Sequence, residues 1–495
     1  MTGSAASLDV VTADGVVRGR RWDGLLTWRG VPYAEPPVGP LRFRSPQPVR
    51  PWSGVREAVD FGAVAPQRRA RNASEDCLTL NVLTPTASAP RPRPVLVFIH
   101  GGAYVSGSSS TALYWGDHLV RRGDIVYVSI NYRLGALGYF DFGEYSTPNA
   151  TFEANLGLRD QIAALHWIKR NIAAFGGDPD NVTIAGQSAG ANAVTTLMCV
   201  PSARGMFARA IAESSPVGAS NPVERARGWS RQYLDVLGAD PADAANALLS
   251  AAPEALVAAE HTLSTRIVDE QPGRRVTAPT FGDDLLPEHP LDAFAGGTAN
   301  PVPLIIGTNS HEGRFFSVFL DVNPTKPSRI EPMLAHTDPA VRTRALAAYP
   351  GYPRRTAATD LGGEITYWLP SVRCAQEHTR RAPTYSYRYD FSPRLFDLTW
   401  MHATHGTELL AVFGVVDDRI GRIATLLGGR AGLRAVTETV QAHWLSFIKN
   451  GTPLPSWPTY STENRETLII DAPTRVENDP NGDRRQAWTG YQRPR

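Results

Sequence analysis

The chain has 495 residues, of which 42% are hydrophobic and 20% are charged, as is usual for a globular protein with a large core. Its length admits two or three average domains or one large α/β unit with insertions. The formal net charge of +2 is too balanced for a protein that binds nucleic acid through a basic surface.

The cysteines and the first residues of the chain restrict its setting and its cofactors. Cys77, Cys199 and Cys374 form an odd, sparse set without C-x-x-C spacing, which argues against a disulfide framework and a zinc site. Residues 1–7 lack the basic and apolar stretches of a secretory signal. No stretch approaches the roughly 18 apolar residues of a membrane-spanning helix. We therefore expect a cytoplasmic protein with no metal or cofactor and no nucleic-acid or membrane partner.

Strand-like patterns recur along the chain. Residues 8–33 alternate in hydropathy and turn at Asp14-Gly15, which predicts a small antiparallel sheet. Continuous apolar runs such as residues 95–99 predict strands buried on both faces of a mostly parallel sheet. Further strands are predicted at residues 75–82, 125–130, 182–185, 208–212, 302–307, 385–390 and 467–471.

Helix-like patterns separate these strands. Apolar residues at three-to-four spacing predict a helix over residues 156–175, which Gly176-Gly177 ends. Other helices are predicted at residues 192–197, 222–259 and 436–449, and over much of 327–381. The alternation predicts an α/β fold with helices on both faces of a twisted sheet. We expect one domain over residues 8–490, with helical insertions around 222–300 and 320–381.

The pentapeptide Gly186-Gln187-Ser188-Ala189-Gly190 lies between a strand-like run and a helix-like run. Gly-x-Ser-x-Gly in this context is the pattern of a nucleophile elbow, in which small residues on both sides of the serine allow a sharp turn. The pattern predicts Ser188 as a nucleophile, with its hydroxyl over the end of a sheet and a helix N-terminus behind it.

A serine that attacks an acyl group needs hydrogen-bond donors for the oxyanion. The segment His100-Gly101-Gly102-Ala103 directly follows the predicted strand at 95–99, and its small residues allow backbone N–H groups to turn toward one point. Together with the N–H of Ala189, it is a candidate oxyanion hole. Because His100 precedes the serine, we interpret it as a structural residue.

In α/β-hydrolases the triad runs serine, acid, histidine, and each partner follows a strand. Glu312 follows the predicted strand at 302–307 and is the candidate acid. His405 lies in a loop of small and polar residues, and His402, three residues earlier, is an alternative base. The other later histidines lie in polar or helical contexts that are typical of surface residues: His336, His378 and His443.

Together these motifs resemble the type-B carboxylesterases, the cholinesterase-like branch of the α/β-hydrolases, and among them the bacterial para-nitrobenzyl-esterase-like group. The resemblance keeps its order over nearly the whole chain. Beyond the motifs above, it includes residues 28–37, 75–78, 131–135, 171–179, 405–408 and 451–453.

The resemblance implies the α/β-hydrolase fold and a serine carboxylesterase that acts on small-molecule esters through an acyl-enzyme. It implies Ser188 as nucleophile, Glu312 as acid and His405 as base, since the family's histidine also precedes a glycine. The implied oxyanion donors are the backbone N–H groups of Gly102, Ala103 and Ala189.

Further roles follow from the same resemblance. Ser214 matches a serine that supports the triad, although a strand-end serine bonded to backbone is an equal alternative. The resemblance also implies two ion pairs, Arg42 with Glu75 and Arg133 with Asp160. We expect a monomer or a weak dimer.

The chain departs from the family pattern at several positions. Ala103 replaces a third glycine, and its methyl group narrows the expected pocket. His311 replaces the usual aspartate, and Glu213-Ser214-Ser215 replaces Gln-Ser-Gly. The short segment 66–76 has no aromatic residue, so specificity for choline esters is not expected.

Two other functions are alternatives. A non-catalytic binding module of this family would have lost a triad residue, whereas this chain keeps all three. A lipase would need a large apolar lid, and no such segment stands out. Several residues that flank the motifs are candidates for the pocket lining: Tyr104, Val105, Trp400, Met401 and Phe413.

Overall fold

The computed structural model describes residues 8–87 and 89–491. Most predicted apolar runs form strands. The strands of the described residues are β1 (Asp9–Val11), β2 (Val16–Arg18), β3 (Arg20–Trp22), β4 (Leu25–Pro32), β5 (Val55–Glu57), β6 (Thr79–Pro85), β7 (Arg93–Ile99), β8 (Val126–Ile130), β9 (Gly177–Gln187), β10 (Arg209–Glu213), β11 (Asn221–Pro222), β12 (Thr280–Phe281), β13 (Leu304–Asn309), β14 (Thr384–Tyr389), β15 (Glu466–Ile470) and β16 (Arg475–Asn478).

Helices connect these strands and form the two predicted insertions. In the second insertion, a π-helical turn, Glu364–Trp368, joins the helix Arg355–Gly363 to the helix Leu369–His378. The α-helices of the described residues are α1 (Asp117–Gly123), α2 (Gly135–Tyr139), α3 (Leu156–Asn171), α4 (Ala189–Leu197), α5 (Val223–Leu237), α6 (Ala244–Ser250), α7 (Pro253–Glu270), α8 (Pro290–Gly296), α9 (Gly313–Val318), α10 (Pro327–Leu334), α11 (Pro339–Ala347), α12 (Arg355–Gly363), α13 (Leu369–His378), α14 (Arg394–Leu398), α15 (Leu409–Val412), α16 (Arg419–Ala424), α17 (Arg430–Asn450) and α18 (Gly482–Ala487).

One large sheet has the strand order β16-β15-β14-β13-β10-β9-β7-β8-β6-β4-β3. From β15 to β8 all neighbouring strands are parallel. The outer strands β16, β6, β4 and β3 run antiparallel to their neighbours. The carboxyl ends of the parallel strands therefore share one edge, where ligands bind in open α/β sheets.

The register brings the ends of four central strands to the same level. Ile99 pairs with Gly186, and Gln187 pairs with Glu213. Glu213 in turn pairs with Gly307 on β13. The segments that follow these strands carry the motifs singled out in the sequence, so they converge at this edge.

A small sheet near the start of the chain is formed by β1 and β2, which pair antiparallel, and by β5, which is parallel to β2. The next strands, β3 and β4, belong to the main sheet, because β4 pairs antiparallel with β6. Hydropathy alternation within residues 8–33 predicts these strands but does not identify their partners. The partner of β4 is β6, which lies outside this range.

The core lies on both faces of the main sheet. From β7, Val95, Val97 and Ile99 join one buried cluster, which includes α3. Leu96 and Phe98 join a second cluster on the other face, which includes α17. The continuous apolar run at residues 95–99 is thus explained, because every side chain in it faces a hydrophobic layer.

Both ion pairs that the resemblance implies are present. Arg42 donates to Glu75 at 2.8 and 2.5 Å. Arg133 donates to Asp160 through Nε at 2.8 Å and Nη2 at 2.6 Å, and its backbone N–H donates to the same carboxylate at 3.0 Å. The Arg133 and Asp160 side chains are 3% and 0% exposed, so each depends on the other for its charge compensation.

Replacing Asp160 by asparagine is expected to lower the free energy of unfolding by about 3–5 kcal/mol, because the buried guanidinium of Arg133 loses its counter-ion. Urea unfolding at neutral pH measures this loss. Asp284→Asn is the matched control, since it removes the Arg159 pair at an aspartate whose side chain is 76% exposed, and it should cost at most about 1 kcal/mol. Equal losses in the two variants would refute the special role of the buried pair.

Candidate active site

Ser188 is the single residue between β9 and α4, and its backbone is in a conformation that non-glycine residues rarely adopt, with φ 60° and ψ −123°. Its N–H donates to the carbonyl of Glu213 at 2.9 Å, which ties the turn to β10. A Cβ on Gly186 would lie 2.5 Å from the carbonyl carbon of Gly190, and a Cβ on Gly190 would overlap the carbonyl oxygen of Ile99. The two glycines of the pentapeptide are therefore required by close packing around the serine.

The glycine segment after β7 packs directly against this turn. A Cβ on Gly101 would lie 2.6 Å from the carbonyl oxygen of Gln187 and 3.1 Å from the Cβ of Ser188. Gly102 and Ala103 both have positive φ, at 115° and 56°. The segment thus packs against the turn that holds Ser188, and two of its residues have positive φ.

His100 is buried, and its ring stacks on Tyr132 with centroids 4.5 Å apart. The Nδ1 of His100 is 2.9 Å from the carbonyl oxygen of Gly101, and the Tyr132 hydroxyl donates to the backbone carbonyl of His100 at 2.7 Å. Burial lowers the pKa of His100 to about 4, so the ring is neutral near pH 7. These contacts agree with a structural role.

Glu312 and His405 lie in contact. The Oε2 of Glu312 is 2.5 Å from Nδ1 of His405, and both side chains are buried. The other carboxylate oxygen accepts from the backbone N–H of Asn309 at 2.8 Å and from the Ser214 hydroxyl at 2.6 Å. A proton on Nδ1 that is donated to Glu312 leaves Nε2 with a lone pair, as a general base requires.

Aromatic rings and one amide surround the imidazole of His405. The rings of Tyr367 and Phe316 have centroids 4.6 and 4.8 Å from it. Its Nε2 is 3.3 Å from the amide nitrogen of Gln187, while the Ser188 hydroxyl interacts with the Tyr367 phenol. Among the described residues no hydrogen bond joins Ser188 to His405, and in the absence of substrate such catalytic bonds are often long or unformed.

The structure distinguishes the two candidate histidines. The Nδ1 of His402 is 2.9 Å from Asp397, and its ring lies beside that of His311, so it does not contact Glu312. The prediction that His378 and His443 are surface residues is wrong, because they are only 2% and 3% exposed. Both lie on the inward faces of their helices, a distinction that polar sequence context does not reveal.

Ser214 links the acid to a second carboxyl group that the sequence reading missed. The Ser214 hydroxyl is 3.2 Å from Glu408, and the Asn309 amide donates to the other oxygen of Glu408. Burial and the charge of Glu312 raise the pKa of the Glu408 carboxyl. Glu408 lies three residues after His405, within the segment 405–408 that carries the resemblance. The sequence therefore contained this residue in a motif but did not indicate its contact with Ser214.

The residues predicted to line the pocket make different kinds of contact in the structure. Phe413 packs on Phe98 within the core, with centroids 5.0 Å apart, so it does not line a pocket. The hydroxyl of Tyr104 donates to Asn192 at 2.7 Å, behind the serine. Trp400 covers the guanidinium of Arg314 at 4.9 Å. Sequence proximity to a motif therefore does not place a side chain in the binding space.

Glu213 is buried at the end of β10, where Trp444 Nε1 donates to it at 2.8 Å. Burial and the nearby charge of Glu408 raise the pKa of Glu213 to about 8, although the bond from Trp444 acts in the opposite direction. The resemblance places a glutamine at this position, so the chain has an ionisable group where the family pattern has a neutral one.

We expect Glu213 to make the wild-type protein lose stability as the pH rises. Between the unfolded pKa of about 4.5 and the folded pKa of about 8, the folded state binds more protons, so the free energy of unfolding falls with increasing pH. Glu213→Gln keeps an acceptor for Trp444 and cannot ionise. Urea unfolding across this pH window should therefore show a smaller fall in the free energy of unfolding for the variant than for the wild type. Equal falls in the two proteins would contradict the raised pKa of Glu213.

Two properties of the described residues concern metal ions and membranes. Within residues 8–87 and 89–491, no group of three or more His, Cys, Asp or Glu side chains is arranged to hold a metal ion. The same residues contain no helix that is long and apolar enough to cross a membrane.

Comparison with known proteins places this geometry in a family. The model of the Carboxylesterase family matches residues 6–488. The chain is 36% identical over 498 residues to the para-nitrobenzyl esterase of Bacillus subtilis (strain 168), covering 96% of this chain and 97% of the relative. It is 33% identical to the phenmedipham hydrolase of Pseudarthrobacter oxydans, over 93% and 94% of the two chains.

Solved structures agree with the sequence relatives. A PNB esterase structure superimposes with a TM-score of 0.87 at 33% identity, covering 97% of this chain and 99% of the other. A family match over nearly the whole chain and relatives that cover it equally well agree on both the fold and the type of reaction. The chain therefore belongs to the carboxylesterase family and is a carboxylic-ester hydrolase with the α/β-hydrolase fold.

Proposed function

We propose that the chain hydrolyses carboxylic esters through an acyl-enzyme on Ser188, with His405 as general base and Glu312 as its charged partner. The observation that carries this proposal is the 2.5 Å contact between Glu312 and His405 Nδ1, next to the turn that holds Ser188. The contact fixes the tautomer in which His405 Nε2 accepts a proton.

In the first half-reaction His405 takes the Ser188 proton as the serine oxygen attacks the acyl carbon. The carbonyl oxygen becomes an oxyanion, which we assign to the backbone N–H groups of Gly102, Ala103 and Ala189. The loss of one such donor typically costs about 2.7–4 kcal/mol of transition-state stabilisation. His405 then gives its proton to the alkoxide, the alcohol leaves and the acyl group stays on Ser188.

In the second half-reaction a water molecule replaces the alcohol. His405 accepts a proton from water as the water oxygen adds to the acyl carbon. The second tetrahedral intermediate then collapses, the bond to the Ser188 oxygen breaks, and His405 returns the proton to that oxygen, which releases the carboxylic acid. Glu312 stabilises the imidazolium in both halves. Ser214 and the N–H of Asn309, which both donate to Glu312, hold its carboxylate in place.

We also propose one catalytic domain over residues 8–490. The main sheet begins at β3 and ends at β16, so strands from both ends of the chain share it. The insertions around 222–300 and 320–381 contribute to two additional hydrophobic clusters. One is formed mainly by α2 and α5–α7, and the other by α10–α13 together with Trp488 and Tyr491.

The experiment that tests the proposal is a series of 4-nitrophenyl esters of increasing acyl length. We expect saturable hydrolysis of monomeric acetate and butyrate esters, together with release of nitrophenol in a rapid first turnover when deacylation is slow. A lipase would instead gain activity sharply above the micellar threshold of a long-chain ester. A non-catalytic module would hydrolyse none of them.

A further inference from the structure

A cavity of about 670 Å³ lies between the segment after β10, helix α13 and the segment before β12. Its wall is partly apolar and includes Val217, Phe281, Ile365 and Leu369. Two arginines, Arg275 and Arg373, line the same space. A cavity of this size is typical of small-molecule sites, in which a few polar groups fix the orientation of the ligand.

Arg275 differs from the buried arginines described above, because no carboxylate lies within 4 Å of it among the described residues. Its guanidinium donates to the side-chain oxygen of Asn323. Arg373 also has no carboxylate that close among those residues. It donates to the carbonyl of Tyr491 and lies 5.7 Å from the centre of that ring. Partly buried guanidinium groups paired only with neutral acceptors are suited to a charged ligand.

A chain of polar contacts connects Arg275 to the nucleophile. Arg275 donates to Asn323, whose amide nitrogen donates to the Tyr367 hydroxyl at 3.2 Å. The Tyr367 hydroxyl in turn interacts with Ser188. Arg275 is thus connected to the reacting serine through two intervening side chains, Asn323 and Tyr367.

The charge of Arg275 also acts on the catalytic surroundings. Burial raises the pKa of the Tyr367 phenol to about 12, and Arg275 opposes that shift. It likewise opposes the effect of burial on Tyr104, which follows the oxyanion segment. Thr277, two residues after Arg275, donates to the carbonyl of Ala103 at 3.3 Å, which ties this segment to the same centre.

Other charged groups line the cavity and balance only part of this charge. Glu377 accepts from Arg380 at 2.6 Å. Asp292 and Arg274 line the wall together with His336. The ring of His289 bonds to the carbonyl of Gly218 at 3.0 Å. Among residues 8–87 and 89–491, the lining therefore holds three arginine side chains against the two carboxyl groups of Asp292 and Glu377.

We propose that the preferred substrates are esters that carry a carboxylate, with the ester carbonyl at Ser188 and the carboxylate at Arg275. This inference rests on the proposed function, because it uses the chemistry of Ser188. Arg373 lies on the same cavity wall and adds to the attraction of the anion. A monoester of a dicarboxylic acid, such as an adipate monoester, has this chemistry.

The test compares three 4-nitrophenyl esters with six-carbon acyl chains: the adipate monoester, the neutral adipamate and the apolar hexanoate. A second pair of butyrate esters varies the charge on the alcohol side, with 4-hydroxybenzoate as the alcohol in one and neutral 4-hydroxybenzamide in the other. We expect kcat/KM for one of the two anionic esters to exceed that of its neutral counterpart by about 10- to 100-fold, since bonds to charged groups have about that effect. Which anionic ester is preferred identifies the side that faces Arg275.

Arg275→Gln should reduce the ratio of kcat/KM for the preferred anionic ester over its neutral counterpart to near 1. Arg275→Lys, which keeps the charge, should retain part of the ratio, and this partial rescue would not follow from a merely structural role. Arg266→Gln is the matched control, because this arginine lies on the exposed surface of α7. It should keep the wild-type ratio.

The proposal is overturned if the wild-type enzyme hydrolyses the neutral esters and shows no preference for either anionic one. It is also overturned if Arg275→Gln folds and keeps the preference. The wild-type comparison requires no variant, so it decides the matter even if Arg275→Gln does not fold. Failure to hydrolyse any of these esters would instead contradict the proposed function, and the inference with it.

Discussion

Ser188→Ala is expected to lower kcat for 4-nitrophenyl butyrate by about 10⁴- to 10⁶-fold, because the variant has no oxygen that can form the acyl-enzyme. Any remaining rate would come from the oxyanion donors and from substrate binding. The first-turnover release of nitrophenol should disappear with the steady-state rate. Stopped-flow and steady-state assays on the same preparation measure both quantities.

A matched control separates chemistry from folding in this experiment. Ser215→Ala removes a buried hydroxyl that is 3.2 Å from Thr195 and lies near the same edge of the sheet. It should change kcat by no more than about threefold, while thermal unfolding shows that both variants are folded. Retention of more than a tenth of the wild-type kcat by folded Ser188→Ala would rule out Ser188 as the nucleophile.

Glu312→Gln is expected to lower kcat by about 10³- to 10⁴-fold while KM changes little. The amide has the shape of the carboxylate, so Ser214 and Asn309 can still hold it. It carries no charge to stabilise the imidazolium. Its NH₂ group can donate to Nδ1 of His405, which favours the tautomer with a proton on Nε2 and so blocks proton transfer from Ser188.

Glu408→Gln provides the comparison for this variant, because it makes the same chemical change at a carboxyl group that also contacts Ser214. Glu408 does not contact His405 among the described hydrogen bonds, so a loss of no more than about tenfold is expected. Steady-state kinetics on the two purified variants test the difference. Equal losses would assign the acid's role to the carboxyl pair and not to Glu312 alone.

The sequence located most of the candidate site because its motifs are local. Each glycine motif is contiguous in the sequence and directly follows an apolar strand, although the closest contacts of Gly101 and Gly190 are made between the two segments. Since parallel strands end at one edge of a sheet, motifs that follow different strands had to converge. The choice of His405 over His402 required the family resemblance, because both fit the local pattern.

The residues that the sequence did not assign depend on contacts between distant segments. Tyr367 lies in the insertion around 320–381, where the sequence predicts only helical structure. In the folded chain its ring packs on His405. Arg275 contacts Asn323 from a separate loop. The pairing of β4 with β6 and the burial of His443 are also tertiary properties, and neither hydropathy alternation nor helical periodicity identifies the partner.

The central claim is that Ser188 carries the acyl group, and covalent labelling tests it most directly. The protein is incubated with diethyl 4-nitrophenyl phosphate, and intact mass, residual activity and peptide mapping are measured on the same samples. We predict one diethylphosphoryl group per chain, on Ser188, with activity falling in proportion to labelling. Complete inhibition with Ser188 unmodified, or labelling of another residue that parallels the loss of activity, would contradict the account.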